Sequence, residues 1–191
     1  ATQGKSVHVV EQSHRLLGRA TSNPIAEQIG TYLESINVNL HMGQSVTRMT
    51  GSEGRVTGVC LPDKRLDAEI VLVGVGAVPL DGLARDAGLP TDKGVVVDSF
   101  LATSDPDILA IGDCVSFPEA RLGRIVRLES VQNATDQARC LAANLTGQPT
   151  RYNALAWFWS DIGALKLQIA GLSDTANQTI KTFSAEGELK S

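Results

Sequence analysis

The chain has 191 residues, of which 42% are hydrophobic and 20% are charged, as is typical of a globular protein with one large domain or two small ones. Its net charge of -4 argues against nucleic acid as a partner, because phosphate binding requires an excess of lysine and arginine. No apolar run approaches the ~20 residues that a membrane-spanning helix needs, so no membrane segment is expected.

The cysteines give no sign of a metal site or a disulfide framework. Cys60, Cys114 and Cys140 are far apart in the sequence, and the chain has no CxxC motif and no histidine at metal-ligand spacing. We therefore expect no bound metal. Because disulfides are rare in the cytoplasm, the pattern predicts a cytoplasmic protein with three reduced thiols.

The first elements along the chain are predicted to be a strand, a helix and a second strand. The run "SVHVVE" (6–11) is rich in β-forming residues and ends on an acid. In "NPIAEQIGTYLESI" (23–36), Asn23 caps a helix, Pro24 suits its first turn, and apolar residues recur at helical spacing. The run "VNLHMG" (38–43) then returns as a strand.

The middle of the chain predicts two more strands, "RVTGVCLP" (55–62) and "AEIVLVGVG" (68–76), on either side of a turn-like "DKRLD" (63–67). The second run is nearly all apolar, as expected of a strand that is covered on both faces. A short helix, "GLARDAG" (82–88), follows, and Gly88 is suited to its C-terminal cap.

Within "TSDPDILAIGDC" (103–114), the run "DILAI" predicts a buried strand that ends at Gly112 and Asp113. A loop then leads to a helix that ends at Gly147, and this helix is predicted to bury one apolar stripe. The residues of the stripe are Val131, Ala134, Ala138, Leu141, Ala142 and Leu145. Further along, the alternating run "LKLQIAGL" (165–172) predicts another strand.

Strands that alternate with helices predict an α/β fold with a largely parallel sheet. Ligands of such sheets bind beyond the carboxyl ends of the strands. This rule places Glu11, Gly74, Gly76 and Asp113 where a ligand would lie.

Each candidate binding feature also has a simple structural explanation when it is taken alone. Glu11 could hold an adenosine ribose and repel the 2′-phosphate of NADP, yet the glycine fingerprint expected about 20 residues upstream cannot fit before it. Asp113 could accept hydrogen bonds from ribityl hydroxyls, but Gly-Asp at a strand end is also a common turn. The helix N-terminus near Glu129 and Val131 could stabilise a flavin anion, although every helix has such an end.

Four segments resemble, in this order, the FAD-dependent pyridine nucleotide-disulfide oxidoreductase superfamily, and in particular its ferredoxin reductase branch, with the putidaredoxin and rubredoxin reductases. They are "VGVGAVPLDGLARDAGL", "GVVVDSFLATSDPDILAIGDC", "RLESVQNATDQARCLAANLTG" and "WFWSDIGALKLQIAGL", of which "TSDPDILAIGDC" and "WFWSD" are the most specific parts. The resemblance implies a Rossmann-like FAD/NAD(P)-binding fold with three β-β-α layers. Residues 1–76 would be the later part of an NAD-binding domain, residues 77–150 the returning part of an FAD-binding domain, and residues 151–191 the start of an α+β C-terminal interface domain.

The resemblance also implies roles for residues at the NAD site. Glu11 would hold the adenosine ribose of NADH, with Arg15 and Arg19 nearby. Gly74 and Gly76 would line the path of the nicotinamide half.

At the FAD site, the resemblance implies that Gly112 and Asp113 bind the ribityl chain. Val131 would offer its backbone N–H to the pyrimidine edge of the flavin. Glu129 would lie close to the nicotinamide, and Trp159 would lie beside the isoalloxazine ring.

The implied function is electron transfer from NADH through FAD to a [2Fe–2S] ferredoxin or a rubredoxin. Whether the protein forms a homodimer is left open. Three arginines in the predicted loop, Arg121, Arg124 and Arg127, are either a docking site for an acidic ferredoxin or a solvated loop. Two alternatives also stay open: a binding flavoprotein similar to apoptosis-inducing factor that responds to NADH, and an inactive truncated product. Because both glycine fingerprints of the family would lie upstream of Ala1, the chain is expected to be a fragment that binds FAD poorly by itself.

Overall fold

The structure is a computed structural model that describes residues 1, 3–18, 20–173, 176, 178, 180, 182–183 and 189–190. The chain divides into two compact units, the first built mainly from residues 1–75 and the second mainly from residues 76–160. The helices are α1 (Asn23–Ser35), α2 (Gly82–Asp86) and α3 (Val131–Leu145). The strands are β1 (Val7–Glu11), β2 (Val38–Met42), β3 (Arg48–Ser52), β4 (Arg55–Cys60), β5 (Arg65–Asp67), β6 (Val95–Val96), β7 (Val115–Glu119), β8 (Arg124–Val126), β9 (Trp157–Ile162), β10 (Leu165–Ala170), β11 (Thr182–Phe183) and β12 (Leu189–Lys190).

The first unit opens with a β-α-β motif, which confirms the elements predicted for this part of the chain. β1 and β2 pair in parallel, from Val7 opposite Val38 to Glu11 opposite Met42. α1 connects them, with proline in its first turn and with Ala26 and Ile29 on its buried face; its N-cap is Ser22 and not the predicted Asn23. The parallel pairing places the Glu11 end of β1 at the carboxyl edge of the pair, where ligands of α/β proteins bind.

The first unit continues with a three-stranded antiparallel meander in which β4 lies between β3 and β5. β4 confirms the strand predicted at 55–62. The predicted partner is wrong, because β4 pairs with β3 and with β5, and β5 occupies part of the segment that had been assigned to a turn. The three residues of β5 are too few to give a recognisable alternation of apolar and polar side chains.

The prediction of a buried strand at 68–76 is wrong. This segment has no strand assignment, and Leu72 and Val75 are 95% and 88% exposed. An apolar strand is buried only where other elements cover its faces and neighbouring strands pair with its edges. In the described part of the chain, no strand pairs with this segment.

The second unit contains a mixed sheet in which β7 pairs in parallel with β6 and antiparallel with β8. Leu101, Val115 and Phe117 are buried at the centre of its hydrophobic core, and Phe117 packs edge-on against Tyr152. α2 is followed by Gly88 in the left-handed region at φ +77°, as predicted for the end of this helix.

The predicted strand "DILAI" (107–111) does not belong to the parallel sheet. The chain instead folds back on itself, and the isolated bridge between Ala102 and Leu109 closes a tight turn around Asp105. The Thr103 hydroxyl donates to the Ile108 carbonyl at 2.8 Å and stabilises this turn. The buried parallel strand is β7, which follows Asp113, so this aspartate precedes a strand and does not end one.

α3 extends over the predicted range, but its predicted apolar stripe is wrong. Its buried residues are Asn133 and Gln137, whereas Val131 and Leu145 are exposed. Leu141 alone among the predicted stripe packs against the hydrophobic core. The helix therefore buries a polar face, because hydrogen-bonding groups of other segments lie against it.

β9 and β10 form a two-stranded pair, and β10 confirms the strand predicted at 165–172. Gly163, at φ +61°, turns the chain between them. Among the described residues, no helix has the length and apolar character that crossing a membrane requires.

Candidate functional site

Arg127 connects the two parts of the predicted flavin site in the second unit. Its Nη1 atom donates to the backbone carbonyl of Asp113 at 3.0 Å, and its Nη2 atom pairs with Oε1 of Glu129 at 2.6 Å. The Arg127 side chain is 16% exposed, and the Glu129 side chain is 31% exposed. One guanidinium therefore holds the Asp113 turn and the carboxylate before α3 close together, although sequence reasoning placed Arg127 in a loop that was either solvated or a docking site.

The turn at Gly112 and Asp113 presents a carboxylate to solvent. Gly112 has φ +86°, a conformation that glycine adopts without strain, and its N–H donates to Oε1 of Gln137 at 2.7 Å. A Cβ atom at Gly112 would meet no other atom within 4 Å, so the backbone conformation and not crowding favours glycine here. Because Asp113 is exposed, its carboxylate is free to accept hydrogen bonds from a bound polyol.

Arg127 also connects this turn to the N-terminus of α3, because its partner Glu129 lies just before the helix. Ser130 is the N-cap, and its hydroxyl accepts the Asn133 N–H at 3.1 Å. Val131, the first residue of the helix, is 67% exposed. The first-turn N–H groups of a helix lack partners within the helix and carry a partial positive charge, so this end suits a negatively charged ligand edge.

Sequence reasoning missed Arg127, Asn133 and Gln137 as residues of this site. The signal for Arg127 was its position two residues before Glu129. The signal for the other two was a pair of amides four residues apart, which places them on one face of a helix. Neither signal identifies the hydrogen-bond partners at Gly112 and Asp113, because this turn is distant in the sequence from the residues that contact it.

The first unit holds the predicted adenosine site. Glu11 ends β1, its Oε1 atom accepts the Ser13 N–H at 2.8 Å, and its backbone carbonyl accepts the Gln44 N–H at 3.1 Å. The first bond orients the carboxylate, and the second fixes the backbone, at the carboxyl end of the strand. A carboxylate accepts several hydrogen bonds, so Glu11 retains capacity for ribose hydroxyls.

Arg15 is bound to its own loop and to the start of α1. Its guanidinium donates to Oδ1 of Asn23 and to the backbone carbonyl of Gly18. Arg15 also borders an open cavity of about 320 Å³ beside α1, and the other lining residues are His14, Leu16, Asn23, Ala26, Glu27, Gly30, Leu40 and Met42. Arg19, the second arginine predicted at this site, lies outside the described residues.

The remaining predicted residues do not lie at strand ends. Gly74 and Gly76 lie in the exposed segment without a strand assignment, and Gly76 has φ +94°. Trp159 lies in β9, is 48% exposed, and stacks on Trp157 with ring centroids 5.3 Å apart. An exposed indole face is available for contact with a planar ligand.

Two of the arginines assigned to a loop, Arg121 and Arg124, lie in the β7–β8 hairpin, and Arg127 follows β8. Arg121 pairs with the buried carboxylate of Glu119 at 2.9 Å and donates to the Asn153 carbonyl at 3.0 Å. Arg124 begins β8. Arg121 and Arg127 make specific contacts within the second unit, whereas Arg121 and Arg124 are also exposed to solvent, as the solvated-loop interpretation predicts.

Two histidines of the first unit form a stacked pair. The rings of His8 and His41 are 5.3 Å apart, and Nδ1 of His8 lies 3.0 Å from Nε2 of His41. Burial lowers the pKa of His41, and the neighbouring charges of Lys64 and His8 lower it further. The pair therefore favours neutral His41 in the folded protein.

Comparison with known proteins shows which family this chain matches. The family described as pyridine nucleotide-disulphide oxidoreductase matches residues 1–138. The chain is similar to rhodocoxin reductase of Rhodococcus erythropolis (43% identity over 92% of this chain and 41% of the relative) and to putidaredoxin reductase of Pseudomonas putida (37% identity over 91% of this chain and 42% of the relative).

Solved structures show the same likeness. The ferredoxin reductase for the CYP199A2 system of Rhodopseudomonas palustris matches with a TM-score of 0.90 and 44% identity, over 95% of this chain and 45% of that chain. The covalent complex of putidaredoxin reductase with putidaredoxin matches with a TM-score of 0.89 and 37% identity, over 93% and 43%. These matches confirm the predicted α/β, Rossmann-like fold class, and the chain spans less than half the length of the relatives it matches.

Proposed function

The chain belongs to the pyridine nucleotide-disulphide oxidoreductase family, and from this premise we propose that its full-length protein is an NADH-dependent flavoenzyme that reduces a ferredoxin or rubredoxin. FAD would accept a hydride from NADH and release electrons singly to the acceptor. The residues of this chain would bind and orient the two cofactors. We assign the first unit to the NAD-binding part and the second mainly to the FAD-binding part.

The observation that carries this proposal is the contact of Arg127 with both Asp113 and Glu129. It brings an exposed carboxylate, suited to the ribityl hydroxyls of FAD, close to the N-terminus of a long helix. That N-terminus would stabilise negative charge on the pyrimidine side of a reduced flavin. Glu129 would lie on the side from which the nicotinamide approaches, and Trp159 would cover part of the flavin ring. These residue types fit the cofactor.

Contacts in the first unit support NADH over NADPH. Glu11 would accept hydrogen bonds from the ribose hydroxyls and would repel a 2′-phosphate. Arg15 is already bound to Asn23 and Gly18, so its guanidinium is committed to the loop. A dinucleotide with a free ribose therefore suits this end of β1 better than its phosphorylated form.

The names of similar proteins support a small redox protein as the electron acceptor. One of the matched structures is a complex of putidaredoxin reductase with putidaredoxin. We assign the acceptor of this protein to the same class, a [2Fe–2S] ferredoxin or a rubredoxin. Arg121 is a weak candidate for docking this acceptor, because its pairing with Glu119 already uses its charge.

The experiment that tests the FAD assignment is a titration of the full-length protein with FAD after Asp113→Ala. Loss of a charged hydrogen-bond acceptor costs about 1.5–3 kcal/mol, so we expect FAD affinity to fall at least ~10-fold. Asp107→Ala is the matched control, since Asp107 is an exposed aspartate of the preceding turn. Equal FAD affinity in the two variants would remove Asp113 from the site.

A further inference from the structure

The buried face of α3 carries two amide side chains, which neither hydrophobic packing nor helix formation requires. Gln137 is 0% exposed and Asn133 is 4% exposed, and both lie on the side of the helix that packs into the second unit. Burying an amide stabilises a protein little unless its polar atoms find partners. The partners of these two side chains therefore indicate what the polar face does.

The partners form a connected chain from the helix to the Asp113 turn. Oε1 of Gln137 accepts the Gly112 N–H at 2.7 Å, and Nε2 of Gln137 donates to Oδ1 of Asn133 at 3.3 Å. The same Oδ1 atom accepts the Tyr152 hydroxyl at 3.0 Å, and Nδ2 of Asn133 donates to the Leu128 carbonyl at 3.3 Å. Across the described residues, every buried side-chain nitrogen or oxygen has a hydrogen-bond partner.

Gln137 is the member of this network that reaches the candidate flavin site. Its amide contacts the backbone of Gly112 from the side of α3, and Arg127 contacts the carbonyl of Asp113. These two residues hold the peptide groups on either side of the bond between Gly112 and Asp113. Gly112 has φ +86° and open space around its Cβ position, so contacts at this position do not hold the turn. Hydrogen bonds hold it: Gln137 accepts the Gly112 N–H, Arg127 donates to the Asp113 carbonyl, and the Gly112 carbonyl accepts the Val115 N–H at 3.3 Å. Among these bonds, the one that comes from α3 is made by Gln137.

We propose that Gln137 is a positioning residue that fixes the Gly112 backbone, so that the Asp113 carboxylate is presented to the ribityl chain of FAD. This inference rests on the proposed function for its ligand and on the Gly112 contact for its mechanism. An apolar side chain of equal size at position 137 would fill the same volume. It would leave the Gly112 N–H without its acceptor and release the turn.

The test is Gln137→Met in the full-length protein, with amide hydrogen exchange and FAD titration as the two measurements. We expect the Gly112 amide to exchange about 10-fold faster and FAD to bind about 10-fold more weakly, a change of about 1.4 kcal/mol, since the substitution leaves a buried N–H without its acceptor. Tyr152→Phe is the control for a purely structural role. It removes another hydrogen bond of the same network and leaves the contact between Gln137 and Gly112 in place.

The control should lower the melting temperature but change Gly112 exchange and FAD affinity less than about twofold. If Gln137→Met fails to fold, Gln137→Glu provides the test. A buried glutamate favours its neutral form, which can accept from Gly112 and donate to Asn133. This variant should retain the Gly112 protection of the wild type within about threefold, and loss of that protection would contradict the inference.

Three results would overturn the inference. The first is unchanged Gly112 exchange in Gln137→Met. The second is faster Gly112 exchange with FAD affinity intact, and the third is an equal loss of FAD affinity in Tyr152→Phe. A wild-type protein that does not bind FAD would instead overturn the proposed function, and the Gly112 exchange rates would then still decide whether Gln137 holds the turn.

Discussion

Tyr152 shows how a single side chain of the second unit couples burial, charge and stability. Its ring packs against Phe117, and its hydroxyl donates to Oδ1 of Asn133. Burial, with smaller contributions from the nearby Asp136 and Cys140, raises the pKa of Tyr152 to about 12. The folded protein therefore favours the neutral phenol, which keeps its proton for the hydrogen bond to Asn133.

The shifted pKa of Tyr152 predicts a loss of stability at high pH. An unfolded tyrosine ionises near pH 10, so the stabilisation is fully present below about pH 10 and is lost as the pH rises to about 12. At about 1.4 kcal/mol per unit, the free energy of unfolding should fall by roughly 1–3 kcal/mol more in the wild type than in Tyr152→Phe. Urea unfolding at several alkaline pH values measures this difference.

Tyr32→Phe is the control for this prediction, because it removes a phenol of the first unit and leaves Tyr152 unchanged. Its unfolding free energy should keep the steep alkaline fall of the wild type. Parallel pH profiles for the wild type and Tyr152→Phe would show that the phenol of Tyr152 does not contribute to the alkaline loss.

At the scale of elements, the sequence identified those helices and strands that have clear start and spacing signals of their own. The β-α-β motif was predictable because Pro24 and the apolar spacing of α1 are local features. The run 107–111 was not, since the turn at Asp105 pairs it with its own preceding residues. The apolar composition of this run could not distinguish a strand of the parallel sheet from pairing with the residues just before it.

The polar face of α3 shows a second limit of sequence reasoning. Apolar periodicity predicts which face of a helix is buried when the neighbouring surface is apolar. Here the neighbours of Gln137 and Asn133 are a backbone amide, a backbone carbonyl and a phenol. Asp113 and Glu129 could be proposed from their motifs, but Arg127 and Gln137 required the contacts between distant segments.

The start of α3 should depend on its N-cap. The Ser130 hydroxyl accepts the Asn133 N–H, and Asn133 belongs to the buried network. Ser130→Ala should lower the free energy of unfolding by about 1 kcal/mol, the usual effect of losing such a cap. Chemical denaturation measures the change, and Ser104→Ala in an exposed turn should alter stability by less than about 0.5 kcal/mol. Equal stabilities of the two variants would contradict the role of this cap.

At the scale of the whole molecule, apolar residues are distributed unevenly between core and surface. The core of the second unit buries Leu101 completely. The segment 68–76 exposes Leu72 almost completely, and no strand in the described residues pairs with it. The same residue type should therefore contribute very differently to stability at these two positions.

A matched pair of substitutions in the 191-residue chain tests this difference. Leu101→Ala should lower the free energy of unfolding by about 2–5 kcal/mol, because it leaves a cavity in the core. Leu72→Ala should change it by less than about 0.5 kcal/mol, as expected for an exposed site. Urea unfolding measures both, and a cost above 2 kcal/mol at Leu72 would show that the segment is packed.

The most direct test of the proposed function is stopped-flow reduction of the FAD-loaded full-length protein by NADH and by NADPH, followed by mixing with a [2Fe–2S] ferredoxin. We expect NADH to bleach the flavin absorbance faster than NADPH, and the reduced protein to pass electrons to the ferredoxin. Glu11→Gln should narrow the difference between the two nucleotides, since it removes the charge that repels a 2′-phosphate. A flavin that NADH does not reduce would contradict the proposed function.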